Sequence, residues 1–248
     1  MHTSRYIRLN THTPAHTARR PIMGATETSG DRFNLVAASE AATRNARPIA
    51  RAIAPFVRAH AASARGMFDF YELACGDGAH AAMIARELQG AVRAYDPSDL
   101  TSSRFDAVRA NARGAGVEDV VRDARTTDAT TMADVVDAEA YDGIVVVNMC
   151  HISSRNAVLG MFAGAKKALR RGGLLFAYGP FTRDGGKFSG PGDEKFDASL
   201  RSRDPVNFGL VDVETFMDVE AARCGLVPDE EHPVAMPANN LLLVYRKA

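Results

Sequence analysis

The sequence predicts an open, doubly wound α/β domain built on a mostly parallel sheet, and three observations carry that prediction. Short apolar runs alternate with amphipathic stretches roughly every 20 to 30 residues, the rhythm of strand–helix–strand units. Residues 141–147 end in an unbroken Ile144-Val145-Val146-Val147, the apolar character of a central parallel strand covered on both faces. A glycine-rich turn, Ala74-Cys75-Gly76-Asp77-Gly78, stands between the first strand-like run and a helix.

The elements follow in order. Residues 43–59 are expected to be helical, because Ile49, Ile53, Phe56 and Val57 fall on one face. Residues 68–73 form a strand leading into the turn. Residues 80–88 are the next helix, with Met83, Ile84 and Leu88 inward and Gly90 as its stop. A second strand, 91–95, is closed by Asp96-Pro97-Ser98-Asp99. Residues 101–112 make a polar-faced helix ended by Gly114, and 117–122 a weakly marked strand. After strand 141–147 comes a helix over 156–169, with Val158, Leu159 and Phe162 inward. Arg170 to Gly173 end it, and 174–178 is the next strand. Residues 179–210 are rich in Gly, Pro and charge and are expected to form a long loop, functional or mobile. A helix over 215–224 and a strand over 240–245 complete one domain, residues 31–248. Right-handed crossovers give the doubly wound form, in which ligands bind outside the carboxyl ends of the strands.

Composition narrows the function. The chain has 248 residues, 46% of them hydrophobic, enough for a core without disulfide or metal staples. Thirty basic and thirty acidic residues cancel, so a basic nucleic-acid footprint is not evident and no nucleic-acid partner is expected. No apolar run approaches the roughly 18 to 20 residues of a membrane span. Three cysteines without metal-ligand spacing point to a reduced compartment and no metal. Residues 1–30 read as an extension. Residues 1–26 hold Arg5, Arg8, Arg19 and Arg20 and no acid, which suits a mitochondrial transit peptide or a disordered arm. Met23 as the true start, opening a short myristoylation pattern, is a third reading. A cytoplasmic location is expected, the mitochondrion being the alternative.

Two motifs carry chemistry. Glycines after a strand and before a helix let backbone approach a ligand closely, and Gly76 and Gly78 stand there. Asp96 follows 18 residues after Gly78, where a carboxylate at a strand end can accept both hydroxyls of a ribose. Together they point to a nucleoside-containing cofactor; the alternative is a tight turn and a helix cap. Gly-x-Gly-x-x-Gly, the dinucleotide pattern, is absent, which disfavours a nicotinamide oxidoreductase. Glu72, two residues before the loop, gives the form seen in the first motif of class I S-adenosylmethionine-dependent methyltransferases. The departure is Ala74 in place of the first glycine, tolerable if its φ is negative.

Further segments sharpen the resemblance: Arg44-Asn45 with Pro48, Glu72 to His80, Pro97-Ser98-Asp99, Asn148-Met149-Cys150-His151-Ile152-Ser153, Tyr178-Gly179-Pro180-Phe181, Phe196-Asp197 with Leu200-Arg201, and Met236-Pro237-Ala238-Asn239-Asn240. In order, from about residue 35 to the end, these resemble the methyltransferase-like protein 26 family, described as a domain of unknown function. The resemblance implies a Rossmann-like, seven-stranded methyltransferase fold with an antiparallel last strand, and S-adenosylmethionine as cofactor. It implies that Glu72, Ala74, Gly76, Gly78, Asp96, Asp128, Asn148 and Met149 surround the cofactor, with Asp123 competing for the place of Asp128.

His151 and Asn148 are the candidate catalytic residues. A histidine removes a proton near neutral pH, or else it only lines the pocket. His80 is expected near the cofactor without chemistry, and Cys150 as buried filler. Arg44, Asn45, Tyr178, Arg201 and Asn239 are candidates for binding the acceptor. Arg201 either forks onto an anion or pairs with Asp197 four residues earlier. The expected activity is methyl transfer to a small molecule. The alternative is a non-catalytic module that binds the cofactor or a protein partner.

Overall fold

The structure is a computed structural model that describes residues 35–63 and 65–248. The extension, residues 1–30, with its transit-peptide and start-site readings, lies outside the described residues.

Helix α1 (Glu40–Ala61) starts where the Ser39 side chain accepts the N–H of Ala42. Strand β1 (Phe68–Leu73) is buried at all six positions and leads through the glycine turn into α2 (Ala79–Glu87). Then come β2 (Val92–Asp99), α3 (Phe105–Ala115), β3 (Arg125–Thr126) and α4 (Met132–Val135). Strand β4 (Tyr141–Val147), helix α5 (Arg155–Ala168) and strand β5 (Leu169–Gly179) form the centre. The rest is β6 (Phe181–Thr182), α6 (Pro191–Arg203), β7 (Val211–Asp212), α7 (Asp218–Arg223), β8 (Leu226–Pro228), β9 (Val234–Ala235) and β10 (Leu241–Lys247).

The main sheet runs β3-β2-β1-β4-β5-β10-β8, with β9 on the margin of β10. Strands β3, β2, β1, β4 and β5 are parallel, and β10 enters antiparallel between β5 and β8. The doubly wound sheet and its reversed last strand are therefore present. One face carries α1 and α2 over Phe68, Phe70, Phe176 and Val244; the other carries α5 and α7 over Leu73, Ile144, Leu175 and Tyr245.

Four expectations need correction. The third strand is not 117–122 but Arg125–Thr126, preceded by a single bridge between Tyr95 and Val121. Strand β2 does not end at Asp96-Pro97. Residues 95 and 99 bond toward β3 while Ser98 serves β1, so the N–H that Pro97 lacks belongs to the β3 side. The proline thus interrupts the edge pairing and leaves the β1 ladder intact. Strand β5 begins at Leu169, its Arg170–Gly173 stretch shifting register rather than forming a separate stop. Finally, the expected loop 179–210 contains α6. Its inward residues are Asp193, Asp197 and Leu200, so the apolar periodicity that marks a helix is missing.

Helix α5 crosses the turn after β3 at Gly160, where a Cβ would lie 2.1 Å from the Ala129 carbonyl oxygen. We expect Gly160→Ala to lower unfolding free energy by about 1–3 kcal/mol in a denaturant titration, as overpacked sites do.

Candidate functional site

The carboxyl ends of β1, β2, β4 and β5 converge on one rim. At its centre the turn after β1 places Ala74 at φ 59°, Gly76 at φ 55° and Gly78 at φ 71°. Cys75 donates its N–H to Ser98 O, and Gly78 to Cys75 O, fixing the turn against β2. A Cβ at Gly78 would lie 2.8 Å from Val108 Cγ1, so this glycine is required by packing as well as by backbone. A Cβ at Gly76 would meet no atom within 4 Å: the space above it is open. Ala74 does not have the negative φ that would make alanine costless. It sits in the left-handed region, where a Cβ costs roughly 1–2 kcal/mol.

Asp77 organises the turn's surroundings. Its carboxylate accepts the N–H of Ala79 at 3.1 Å and that of Ser39 at 2.9 Å, tying the start of α1 to the start of α2. Asn111 on α3 donates to the Asp77 carbonyl and accepts from Ala37. Helix α1 is thereby laid across the rim, and Asn45 comes within 2.9 Å of His80 Nε2. An amide oxygen only accepts, so His80 carries its proton on Nε2. The same Asn45 side chain approaches the Tyr178 hydroxyl in geometry short of a hydrogen bond, with Arg44 nearby. Arg44, Asn45, Tyr178 and His80 are thus brought together.

Beneath them lies Glu72, fully buried, with neither carboxyl oxygen hydrogen-bonded among the described residues. Burial pushes its pKa up to about 8, and the nearby Asp77 and Asp99 add to this. The Tyr95 hydroxyl faces it in geometry short of a hydrogen bond, and His80 Nδ1 is 3.9 Å away. Burial lowers His80 to about 4, so the imidazole is neutral.

Asp96 is not at the strand end. It pairs with Tyr71 inside the sheet, and its carboxylate accepts from Tyr141 Oη, Arg125 Nη2 and Arg122 Nη1 at 2.8, 2.8 and 3.2 Å. It staples β2 to β3 and β4. The strand-end acid is Asp99, whose Oδ2 accepts the Gly76 N–H at 2.9 Å. The strand read as 91–95 runs on to Asp99, which is why the sequence puts Asp96 at its end instead. Asp128 follows β3, exposed, capping the next turn through Thr130, whose hydrogen bonds lower its pKa. Asp123 is exposed near Arg109, 3.8 Å away.

On the other side of the rim, Asn148 takes φ 58° and donates its N–H to Tyr178 O. The side of Gly179 where a Cβ would sit faces His151 Nδ1 at 3.5 Å and Asn148 Oδ1 at 3.7 Å. His151 is buried, which lowers its pKa to about 4, and Phe196 of α6 meets its ring edge-on at 5.5 Å. Met149 and Cys150 do not line the rim; they pack into the apolar layer beneath α5. Arg201 pairs with Asp197 at 2.7 Å and lies under Gly209, so its guanidinium is engaged within the protein. Asn239 Nδ2 lies 3.5 Å from the Cβ position of Gly190, joining the tail to the start of α6.

Two clefts of about 400 and 450 Å³ open at the opposite ends of the strands. Several of their arginines are taken up by Asp69, Asp96 and Asp142. Among the described residues, no group of three or more His, Cys, Asp or Glu is placed to hold a metal ion, and no helix is long and apolar enough to cross a membrane.

A family model described as "Protein of unknown function (DUF938)" matches residues 36–247. The chain belongs to the DUF938 family. Solved structures share its architecture. A putative O-methyltransferase from Nostoc punctiforme superposes with a TM-score of 0.63 at 16% identity, over 82% of this chain and 56% of that one. A putative sarcosine dimethylglycine methyltransferase from Galdieria sulphuraria gives 0.61 at 12%, over 88% and 94%. An O-methyltransferase family 2 protein from Planctomyces limnophilus, solved with apigenin, gives 0.61 at 17%, over 82% and 62%. The DUF938 chain thus has the class I methyltransferase fold, and spans little more than half the length of the Nostoc protein.

Two features of the turn suit a nucleoside cofactor: open space over Gly76, and an unpartnered, fully buried carboxyl at Glu72 just before the turn. Relieving the strain at Ala74 should show directly. We expect Ala74→Gly to raise stability by about 0.5–1 kcal/mol, the left-handed cost less the entropy of glycine, seen as a higher melting midpoint.

Proposed function

We propose that this DUF938 protein binds S-adenosylmethionine and transfers its methyl group to a small-molecule acceptor by direct displacement. One observation carries the reading: the left-handed turn after β1 leaves open space over Gly76, with the unpartnered Glu72 just before the turn and the strand-end Asp99 accepting the Gly76 N–H. The fold shared with methyltransferases and the resemblance to the methyltransferase-like protein 26 family support it. When bound, the cofactor supplies an electrophilic methyl group on sulfur that is already a leaving group, so the protein's work is chiefly positioning. Glu72 receives the ammonium of the cofactor's methionine part, Asp99 the ribose hydroxyls in place of Asp96, and Asp128 stands on the adenine side. Gly76 lets the cofactor lie against backbone.

Asn148 and His151 face the acceptor. With its pKa near 4, His151 is a weak base at neutral pH; it orients the nucleophile by a hydrogen bond rather than storing a proton. Arg44, Asn45, Tyr178 and Asn239 form the mouth. The depressed basicity of His151 also favours a second reading, a cofactor-binding module without turnover; methylation of any acceptor removes it.

Calorimetric titration with S-adenosylhomocysteine tests the cofactor site. Asp99→Asn should weaken binding roughly tenfold or more, the loss of a charged hydrogen bond. Asp96→Asn should leave affinity within about threefold while lowering stability by about 1–3 kcal/mol, given its partly exposed arginine partners. Equal loss in both variants, or no binding to folded protein, overturns the assignment.

The pH dependence has a definite sign. The Glu72 pKa is raised from 4.5 to about 8, so the free protein holds the proton at pH 7 and loses stability from this group as pH rises between those values. An ammonium partner favours the carboxylate. Binding of S-adenosylhomocysteine should therefore release a proton and tighten from pH 6 to 8, by at most about tenfold per unit. Glu72→Gln should flatten that profile. A profile in wild type as flat as in Glu72→Gln excludes the contact.

A further inference from the structure

We infer that Asp193 on α6 binds the methyl acceptor, and that the acceptor carries an amine which docks on its carboxylate. This rests on the methyl-transfer reading above. Asp193 is only 9% exposed, and its Oδ2 is buried without a hydrogen-bond partner among the described residues. A buried carboxyl oxygen without a donor is costly, and a donor on a ligand satisfies it.

The helix directs this group at the rim. Phe196, three residues on, meets His151 edge-on. Asp197, four residues on, accepts the N–H of Leu210, next to Gly209, which donates to the His151 carbonyl. Asp193 lies between these two in direction around the helix and one turn nearer Gly190, where Asn239 approaches. It therefore lies on the face of α6 that turns toward His151 and the tail.

Among the described residues, no cation forms an ion pair with Asp193. Arg201 is held by Asp197, Arg155 lies over the Phe216 ring at 4.5 Å, and Arg44 is an exposed side chain near Glu40. A protonated amine supplies both the hydrogen-bond donor and the positive charge that Asp193 lacks. A hydroxyl supplies only the donor, and a carboxylate is repelled. Asp193 acts here in recognition; which acceptor atom receives the methyl group is a separate matter.

The test uses the full chain, first titrated with S-adenosylhomocysteine, then with a panel of primary and secondary amines from ethanolamine to 2-phenylethylamine. Each amine is paired with the alcohol that replaces nitrogen by oxygen. At least one amine should bind roughly tenfold or more tightly than its alcohol partner, and Asp193→Asn should abolish that preference. The variant should keep its S-adenosylhomocysteine affinity and its melting midpoint. Equal binding of amines and alcohols, no amine binding, or an unchanged preference in Asp193→Asn overturns the inference. A lowered midpoint with no amine preference in either protein assigns Asp193 to helix capping. Loss of S-adenosylhomocysteine binding in the wild type would instead strike the cofactor reading, and the amine titration then decides Asp193 on the free protein.

Discussion

Two backbone N–H groups from different parts of the chain end on one buried carboxylate, that of Asp77, and the site's assembly depends on it. One oxygen caps α2 at Ala79; the other holds Ser39, the residue that starts α1. Without this tie, α2 would still leave the glycine turn, since Ala82 donates to Gly78 O in the ordinary helical way. Helix α1 is seated by its buried face, Ala46, Ile49, Ile53 and Val57, and the tie to Asp77 fixes its first turn beside the glycine turn. What α1 contributes follows from that position: Asn45 bonded to His80 and close to Tyr178, and Arg44 beside them. A short side chain in a tight turn thus sets the relation between a helix and the site it covers.

The two ends of the sheet differ in electrostatic design. At the amino ends of the strands, Asp69 and Asp142 share Arg170, and Asp69 also holds Arg93, so charges are paired in place. At the carboxyl ends, the buried groups are pushed toward neutrality: Glu72 up, His80 and His151 down. Each hydrogen bond a ligand makes beside such neutralised groups counts for more, because the local dielectric is low.

Much of this was legible in the sequence. Strands β1, β4 and β10 announce themselves by apolar runs, and the glycine turn by its place between strand and helix. Glu72, Gly76 and Gly78 fall where the spacing places them. Asp96 does not, because a proline in a parallel strand ends only the ladder toward which its missing N–H would point, and a linear reading does not know which neighbour that is. Helix α6 was hidden because its inner face is acidic rather than apolar, and the left-handed φ of Ala74 because alanine gives no sign of the conformation it is made to adopt. The convergence of Asn45, His80 and Tyr178 is tertiary: three short polar side chains separated by long stretches, with no periodicity to link them.

Strand β5 ends where distant parts of the chain meet. Tyr178 lies near Asn45 of the first helix, and Gly179 pairs with Leu241 of the last strand. The rim is therefore closed by contacts between parts of the chain far apart in sequence. During synthesis, the glycine turn emerges early, but the walls around it wait for the final strand. Such non-local closure slows folding and makes it cooperative. A nascent chain halted before β10 would carry the binding turn without an enclosure, so ligand affinity should arise late and all at once rather than grow with chain length.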